Sequence, residues 1–342
     1  MRIKRTSAIL ILTSLCVLLF ACAPKTKPYT REFFTMDTVI SLTVYSDRES
    51  EAKAAMDEAE KEFFRINALC DRFSAESDLG KINKNAGVQP VKVSDDVFLM
   101  ITHALDWAER TGGAFDIAVG PLMDLWNFGK ENNSPPDDEK INGARANCSY
   151  KNVMVDSGDK TVFLTQKGMI LDLGGIAKGY ATDRAASLLH EAGVESAIIN
   201  AGGNVYTIGH KPDGAAFRVG VQNPRDSQGI LGVIGLSDQA AVSSGDYQRY
   251  YIYNGVRYHH ILDPKTGYPA RGLIATTVIG GSAETADVLS TAFFVLGAEK
   301  GLEMAQSLSE IDGALFVTED KKISATSGIS IEIDQASGFT LS

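Results

Sequence analysis

"KTVFLTQKGMILDLGGIAKGYATDRAASLLHEAGVESAIINAGGNVYTIGH", residues 160–210, decides the fold class. Residues 160–175 carry two apolar runs around a polar turn and predict a hairpin. Residues 176–193 switch to helical spacing and close on Gly193. Residues 196–210 predict two strands around a tight Gly turn. A hairpin, one helix and another hairpin lack the regular strand–helix–strand alternation of a parallel sheet. The expectation is α+β, with largely antiparallel sheets and packed helices.

The flanking sequence fits. "TVISLTVYS" (38–46) alternates as a strand does, and residues 49–73 carry apolar residues at helical spacing. Residues 94–113 predict a second helix, N-capped by Ser94 and ended by Gly112. "KENNSPPDDEKINGARANC" (130–148) is polar and turn-rich and reads as a surface insertion. Strands are expected at 217–223, 232–245, 248–262 and 274–281, helices at 284–297 and 301–308, and closing strands at 313–320 and 321–328.

The first residues carry Arg2, Lys4 and Arg5 and then an apolar run, Ala8 to Ala21, that is short for a membrane span. This is an export signal. Leu19-Phe20-Ala21-Cys22 resembles a bacterial lipobox, so residues 1–21 read as a lipoprotein signal peptide and Cys22 as the lipidated residue. Residues 22–30 then form a tether, and 31–342 one large domain on the extracytoplasmic face of a bacterial cell membrane. An ordinary signal peptide or an uncleaved anchor are the alternatives.

The net charge of -10 argues against a nucleic-acid partner. An anionic ligand would need a metal or local donors to offset that field. Cys70 and Cys148, the thiols left after Cys22, can pair in an oxidising compartment. No CxxC or Cys/His cluster is present, so zinc and thiol chemistry are disfavoured.

Several segments carry candidate chemistry. In "ETADVLSTAFFVLG" (284–297), Asp287 and Thr291 sit one turn apart on a helix that is apolar on most sides. A buried Asp287 needs a cation, a Lys or Arg, or a shell of donors. "DLGGIAKGYATD" (172–183) joins a strand to a helix, where backbone N–H groups favour anions, and Lys178 lies in its first turn. A plain packed turn explains the glycines equally well. "HHILDPKTGYP" (259–269) places His260, a residue suited to general-base work near neutral pH, before a turn that Asp263 can cap. "AAVSSGDY" (240–247) permits close ligand approach but has no serine-nucleophile elbow. Phe73 and Phe115 serve as stacking platforms or as core.

Taken in order, Met36-Asp37-Thr38, "RFSAESDLGKIN", "GGAFDIAVGPLMDLWNFG", "DLGGIAKGYATDR", "INAGGN", "SSGDY", "HILDPKTG" and "ETADVLSTAFFVLG" resemble the ApbE family, the FAD:protein FMN transferases. The resemblance covers about residues 31–330 and implies a T-fold-related architecture. It also implies a reaction: FAD is split at its pyrophosphate, FMN is joined by a phosphoester to a Thr or Ser of a target protein, and AMP leaves. Implied partners are FAD, a membrane electron-transfer subunit or reductase as acceptor, and a magnesium ion. The matching positions make Asp287, Thr291 and the Ala177 carbonyl the metal ligands. They assign Met36, Phe73, Ala114, Phe115, Asp116, Gly175, Lys178, His260 and Ile261 to the flavin nucleotide. His260 becomes the base for the acceptor hydroxyl, with Asp263 orienting its loop. Phe73 stands where many members have Tyr, and Asp37 where Gly is usual. An FAD pyrophosphatase and a non-catalytic flavin-binding lipoprotein are the competing expectations.

Overall fold

In the computed structural model, residues 26–128 and 134–342 are described. Cys22 and the signal segment lie outside them. The chain opens with β1 (Lys27–Thr35), β2 (Thr38–Ser46), α1 (Glu49–Cys70), α2 (Asp78–Lys84), β3 (Val91–Lys92) and α3 (Asp95–Arg110). Then come α4 (Gly120–Trp126), α5 (Asp138–Arg145), β4 (Val153–Asp156), β5 (Thr161–Leu164), α6 (Ala177–Glu191), β6 (Ala197–Ala201), β7 (Asn204–Ile208), β8 (Phe217–Gln222) and β9 (Ile230–Leu236). The remainder is β10 (Ala240–Gly245), β11 (Tyr250–Tyr253), β12 (Val256–His259), β13 (Leu273–Gly280), α7 (Ala283–Leu296), α8 (Ala298–Ser307), β14 (Gly313–Thr318), β15 (Lys322–Ala325), β16 (Ile331–Ile333) and β17 (Thr340–Leu341).

The fold is α+β, as expected. Nine strands form one sheet in the order β1-β2-β6-β7-β10-β13-β14-β15-β17, antiparallel at every pairing except β15 with β17. Helices α1, α6 and α7 bury Phe63, Ile66, Leu189, Val288 and Phe293 in one core with Ile40, Leu42 and Val278 of the sheet. The other face packs Ile274, Ile279 and Leu315 against Val219, Val221 and Ile234 of the sheet β16-β9-β8. Covered on both faces, β13 is buried along its whole length. A third cluster, Leu122, Trp126, Ile141 and Leu262 with Tyr251 and Tyr258, fastens the β11–β12 hairpin to α4 and α5.

Four expectations need correction. The hairpin of 160–175 is shifted one strand upstream: β5 pairs with β4, not with residues 168–175. Met169–Leu173 lie outside any ladder: the Asn83 side chain bonds both Leu171 backbone groups and Ile117 O accepts the Asp172 N–H. The tether does not reach residue 30, since Lys27–Thr30 already pair with β2. The first helix stops at Cys70 rather than residue 73, where Asp71 turns extended. The polar 130–148 segment contains a helix, α5, held by buried Ile141. Ser94 does N-cap α3, accepting from Val97 N.

Candidate active site

A cavity of about 750 Å³ opens beside α6 and α7. Its lining includes Met36, Phe73, Ala114, Phe115, Asp116, Gly175, Ala177, Lys178, His260, Ile261, Asp287 and Thr291, residues from six separate segments of the sequence. Asp263 is not among them: its Oδ1 accepts the Lys265 N–H and its carbonyl the Gly267 N–H, which makes it the cap of the 263–267 turn. The capping that the sequence suggested for Asp263 is present, and it fits a residue that orients the loop of His260. The turn is pinned by Trp126, whose Nε1–H donates to Gly267 O at 2.8 Å.

Asp287 is 4% exposed. The question left open by the sequence has a composite answer. Its Oδ2 accepts the Gly179 N–H at 3.0 Å and lies 3.5 Å from Lys178 Nζ. Both partners are on one oxygen, and Oδ1 has no hydrogen-bond partner among the described residues. Thr291, one turn on, lies 3.4 Å from Ser244 Oγ through its own Oγ1. Ala177 is the first residue of α6, so its carbonyl enters the helix ladder. Gly175, in the turn before it, approaches Thr291 more directly: a Cβ there would lie 3.6 Å from Thr291 Oγ1 and 3.0 Å from the Phe115 ring. Gly175 and Ala177 both line the cavity beside Asp287 and Thr291. Glu284 pairs with His103 at 3.1 Å and faces away from this chemistry.

His260 follows β12, with its N–H on Arg249 O and its Nδ1 buried without a partner. Burial, reinforced by the Arg249, His259 and Lys178 charges, pushes the imidazole down to about 3. It is neutral at physiological pH. Its neighbour His259 donates its Nε2–H to Ala270 O and packs edge-on against Phe294, a core role. Asp116 accepts the Ala118 and Tyr150 N–H groups, and burial raises its pKa. It therefore shapes the backbone beside Phe115. Phe73 is exposed and carries the Arg72 guanidinium 4.3 Å over its ring.

The β1–β2 connection has two residues, Met36 (φ 51°) and Asp37 (φ 64°), both left-handed. This is the geometry of a type I′ hairpin turn, which favours Asn, Asp and Gly. Asp37 suits it; Met36 does not, and side chains in this region cost ~1–2 kcal/mol. Asp37 also pairs with Arg249 at 3.1 Å, joining this turn to the base of the β11–β12 hairpin.

Sequence reasoning missed four contributors. Asp172 pairs with Arg72 at 3.0 Å on the cavity rim. Arg249 and Asn204 line the cavity, and Asn204 Nδ2 is buried without a partner. Asp183 lies in a quoted motif, but its partners Ser282, Ala283 and Glu284 are about 100 residues away and no local spacing signals them. Arg72, Lys178 and Arg249 supply local positive charge in a chain of net charge -10. Cys70 and Cys148 are both free thiols.

The model of the ApbE family matches residues 36–315. The FAD:protein FMN transferase of Treponema pallidum is 35% identical over 321 residues, 89% of this chain and 88% of that protein. One from Klebsiella pneumoniae is 38% identical over 297 residues, 86% of this chain and 90% of its own length. The crystal structure of an ApbE protein from Thermotoga maritima superposes with a TM-score of 0.80 at 36% identity, covering 91% of this chain and 98% of that one.

Proposed function

The chain belongs to the ApbE family and is a flavin transferase; from that premise we propose that it cleaves FAD and attaches FMN to a threonine or serine of a target protein, releasing AMP. The observation that carries this reading is Asp287, a buried carboxylate with one oxygen engaged and the other available on a cavity that also presents Thr291 and Lys178. One carboxylate oxygen of Asp287, the Thr291 hydroxyl and the Ala177 carbonyl would form the hard-oxygen set that magnesium accepts, with positions left for phosphate oxygens and water. Magnesium held there supplies charge neutralisation at the diphosphate.

The chain's own groups do the rest. Lys178 sits within 3.5 Å of Asp287, where it offers a second positive charge to the diphosphate. Phe73 and Phe115 give aromatic surface for the ring systems, and Phe73 keeps stacking without the hydroxyl of a Tyr. The acceptor hydroxyl attacks the FMN phosphorus, the bond from that phosphorus to the bridging oxygen breaks, and AMP departs with that oxygen. The hydroxyl proton passes to His260, which is neutral and so has a lone pair ready. The bound diphosphate raises its basicity above that of the empty cavity. The active protein is lipid-anchored through Cys22 on the outer side of the cell membrane.

The test uses the protein without its signal segment, with FAD, magnesium and a soluble flavin-accepting domain of an electron-transfer subunit. Flavin fluorescence that stays with the denatured acceptor is the expected result. AMP released at one rate with or without the acceptor, and no covalent flavin, would identify a pyrophosphatase instead.

A further inference from the structure

Asp183 has no part in the chemistry above and forms no ion pair among the described residues, yet both of its oxygens are committed. Oδ1 accepts the Ala283 N–H at 2.7 Å. Oδ2 accepts the Glu284 N–H at 3.0 Å and the Ser282 hydroxyl at 2.8 Å. A carboxylate on α6 thus caps the N-terminus of α7, satisfying donors that helix cannot satisfy itself.

One turn back along α6, the pattern is reversed. Gly179 N–H, in the first turn of α6, donates to Asp287 Oδ2, one turn into α7. Each helix receives a carboxylate from the other, and the two rungs stand one turn apart on both. Gly179 makes this spacing possible, because a Cβ there would lie 2.3 Å from Ala283 O. With the backbones in contact, the only soft coordinate left is sliding or tilting of α7 along α6. The Asp183 rung blocks it at one end and the Asp287 rung reads it out at the other.

We propose that Asp183 is a positioning residue that fixes the register of α7 and thereby aims the free oxygen of Asp287 and the Thr291 hydroxyl, so that it sets the divalent-cation affinity of the site. This rests on the metal reading given above. Losing Asp183 leaves two N–H groups and a hydroxyl unpaired and lets the first turn of α7 swing, carrying Asp287 off its aim. Partners that orient metal ligands in this way are typically worth ~10–100-fold in affinity.

The experiment measures Mn2+ binding by electron paramagnetic resonance of the free ion, without FAD, together with thermal unfolding of the same samples. Asp183→Ala should bind Mn2+ at least ~10-fold more weakly than wild type. Asp183→Asn, which keeps one acceptor oxygen, should fall between them and remains informative if the alanine variant does not fold. Gly179→Ala leaves Asp183 intact but forces the helices apart, and should weaken Mn2+ binding as well. Mn2+ affinity within twofold of wild type in the Asp183 variants, with only a lowered melting temperature, would reduce the residue to a helix cap and overturn the proposal. If wild type itself binds no Mn2+, the metal reading fails, which is a different result from equal binding by wild type and variants.

Discussion

Two groups of elements line one cavity and are held by opposite means. Where α6 meets α7, carboxylates accept backbone N–H groups across a crossing too close for a Cβ at Gly179. Where the β1–β2 and β11–β12 hairpins meet, the link is one exposed ion pair, Asp37 with Arg249, beside a turn with two left-handed side chains. Phe34 and Val39, direct cross-strand partners next to that turn, are 64% and 56% exposed. The first arrangement holds its carboxylate oxygens by hydrogen bonds of 2.7–3.0 Å, as the proposed metal site would need. The second tolerates displacement, and it carries His260, the proposed base, at its edge. Substitutions in the two frameworks should therefore separate into large effects on chemistry at the helices and smaller effects at the hairpins, His260 itself excepted.

The largest expected effect is at Asp287. Asp287→Ala should lower flavin transfer at least ~1000-fold, in the range that loss of a principal electrostatic stabiliser produces. The fold should survive, because the substitution removes a buried charge instead of stranding one. Gly179 loses an acceptor, a cost of ~1–3 kcal/mol. Near-normal transfer by a folded Asp287→Ala protein would show that the helix wall is not the metal site. His260→Ala comes next. Removing a base typically costs ~100- to 10,000-fold in rate, and here kcat should fall with FAD affinity within about threefold of wild type. Equal losses in both would make the residue a ligand contact.

The same division explains what could be read from the sequence. Helices and hairpins followed from periodicity wherever one face of an element is buried, as in β2 and α3. The hairpin of 160–175 did not: β5 pairs with β4, while Leu171 bonds the side chain of Asn83, a residue distant in sequence. Individual site residues were legible only through an ordered motif set; spacing alone left Asp287 with three kinds of partner. Asp183 and Asn204 stayed hidden, because their roles lie in contacts across the fold and leave no local pattern. Asp263 was legible as a turn cap, because an Asp-Pro start three residues before a Thr-Gly step is a local turn signal.

Acid provides a test of the hairpin side that does not depend on turnover. His259 is buried and held down to about 4 by desolvation, below its ordinary value of 6.5. A histidine depressed in the fold contributes stability that is present above pH 6.5 and is lost as pH falls toward 4. A shift of this size corresponds to about 3 kcal/mol. Asp183 acts in the opposite sense, since burial raises it to about 6 and its protonation below that favours the fold. That contribution is common to wild type and His259→Gln and cancels in their difference. The stability gap between the two proteins in denaturant should therefore shrink by about 3 kcal/mol from pH 7 to pH 4. A gap that does not change with pH would mean that His259 titrates normally.

The smallest expected effect, and the one most specific to the comparison, is at the strained turn. Asp37→Gly supplies the residue best suited to φ 64° and removes the carboxylate that pairs with Arg249. Asp37 already suits the left-handed region, so the relief that Gly gives is at most the low end of the ~1–2 kcal/mol that the region costs an ordinary side chain. The lost pair, both of whose partners are more than half exposed, is worth ~0–1 kcal/mol. Stability should rise by under ~1 kcal/mol or stay level. Freed from Asp37, the Arg249 charge faces His260 and the cavity without compensation, so FAD should bind slightly more tightly, within about threefold. A loss of stability beyond ~1 kcal/mol would mean that the ion pair holds the turn in its left-handed form. In that case the hairpins would be as tightly built as the helices, and the contrast between them would fail where it is weakest.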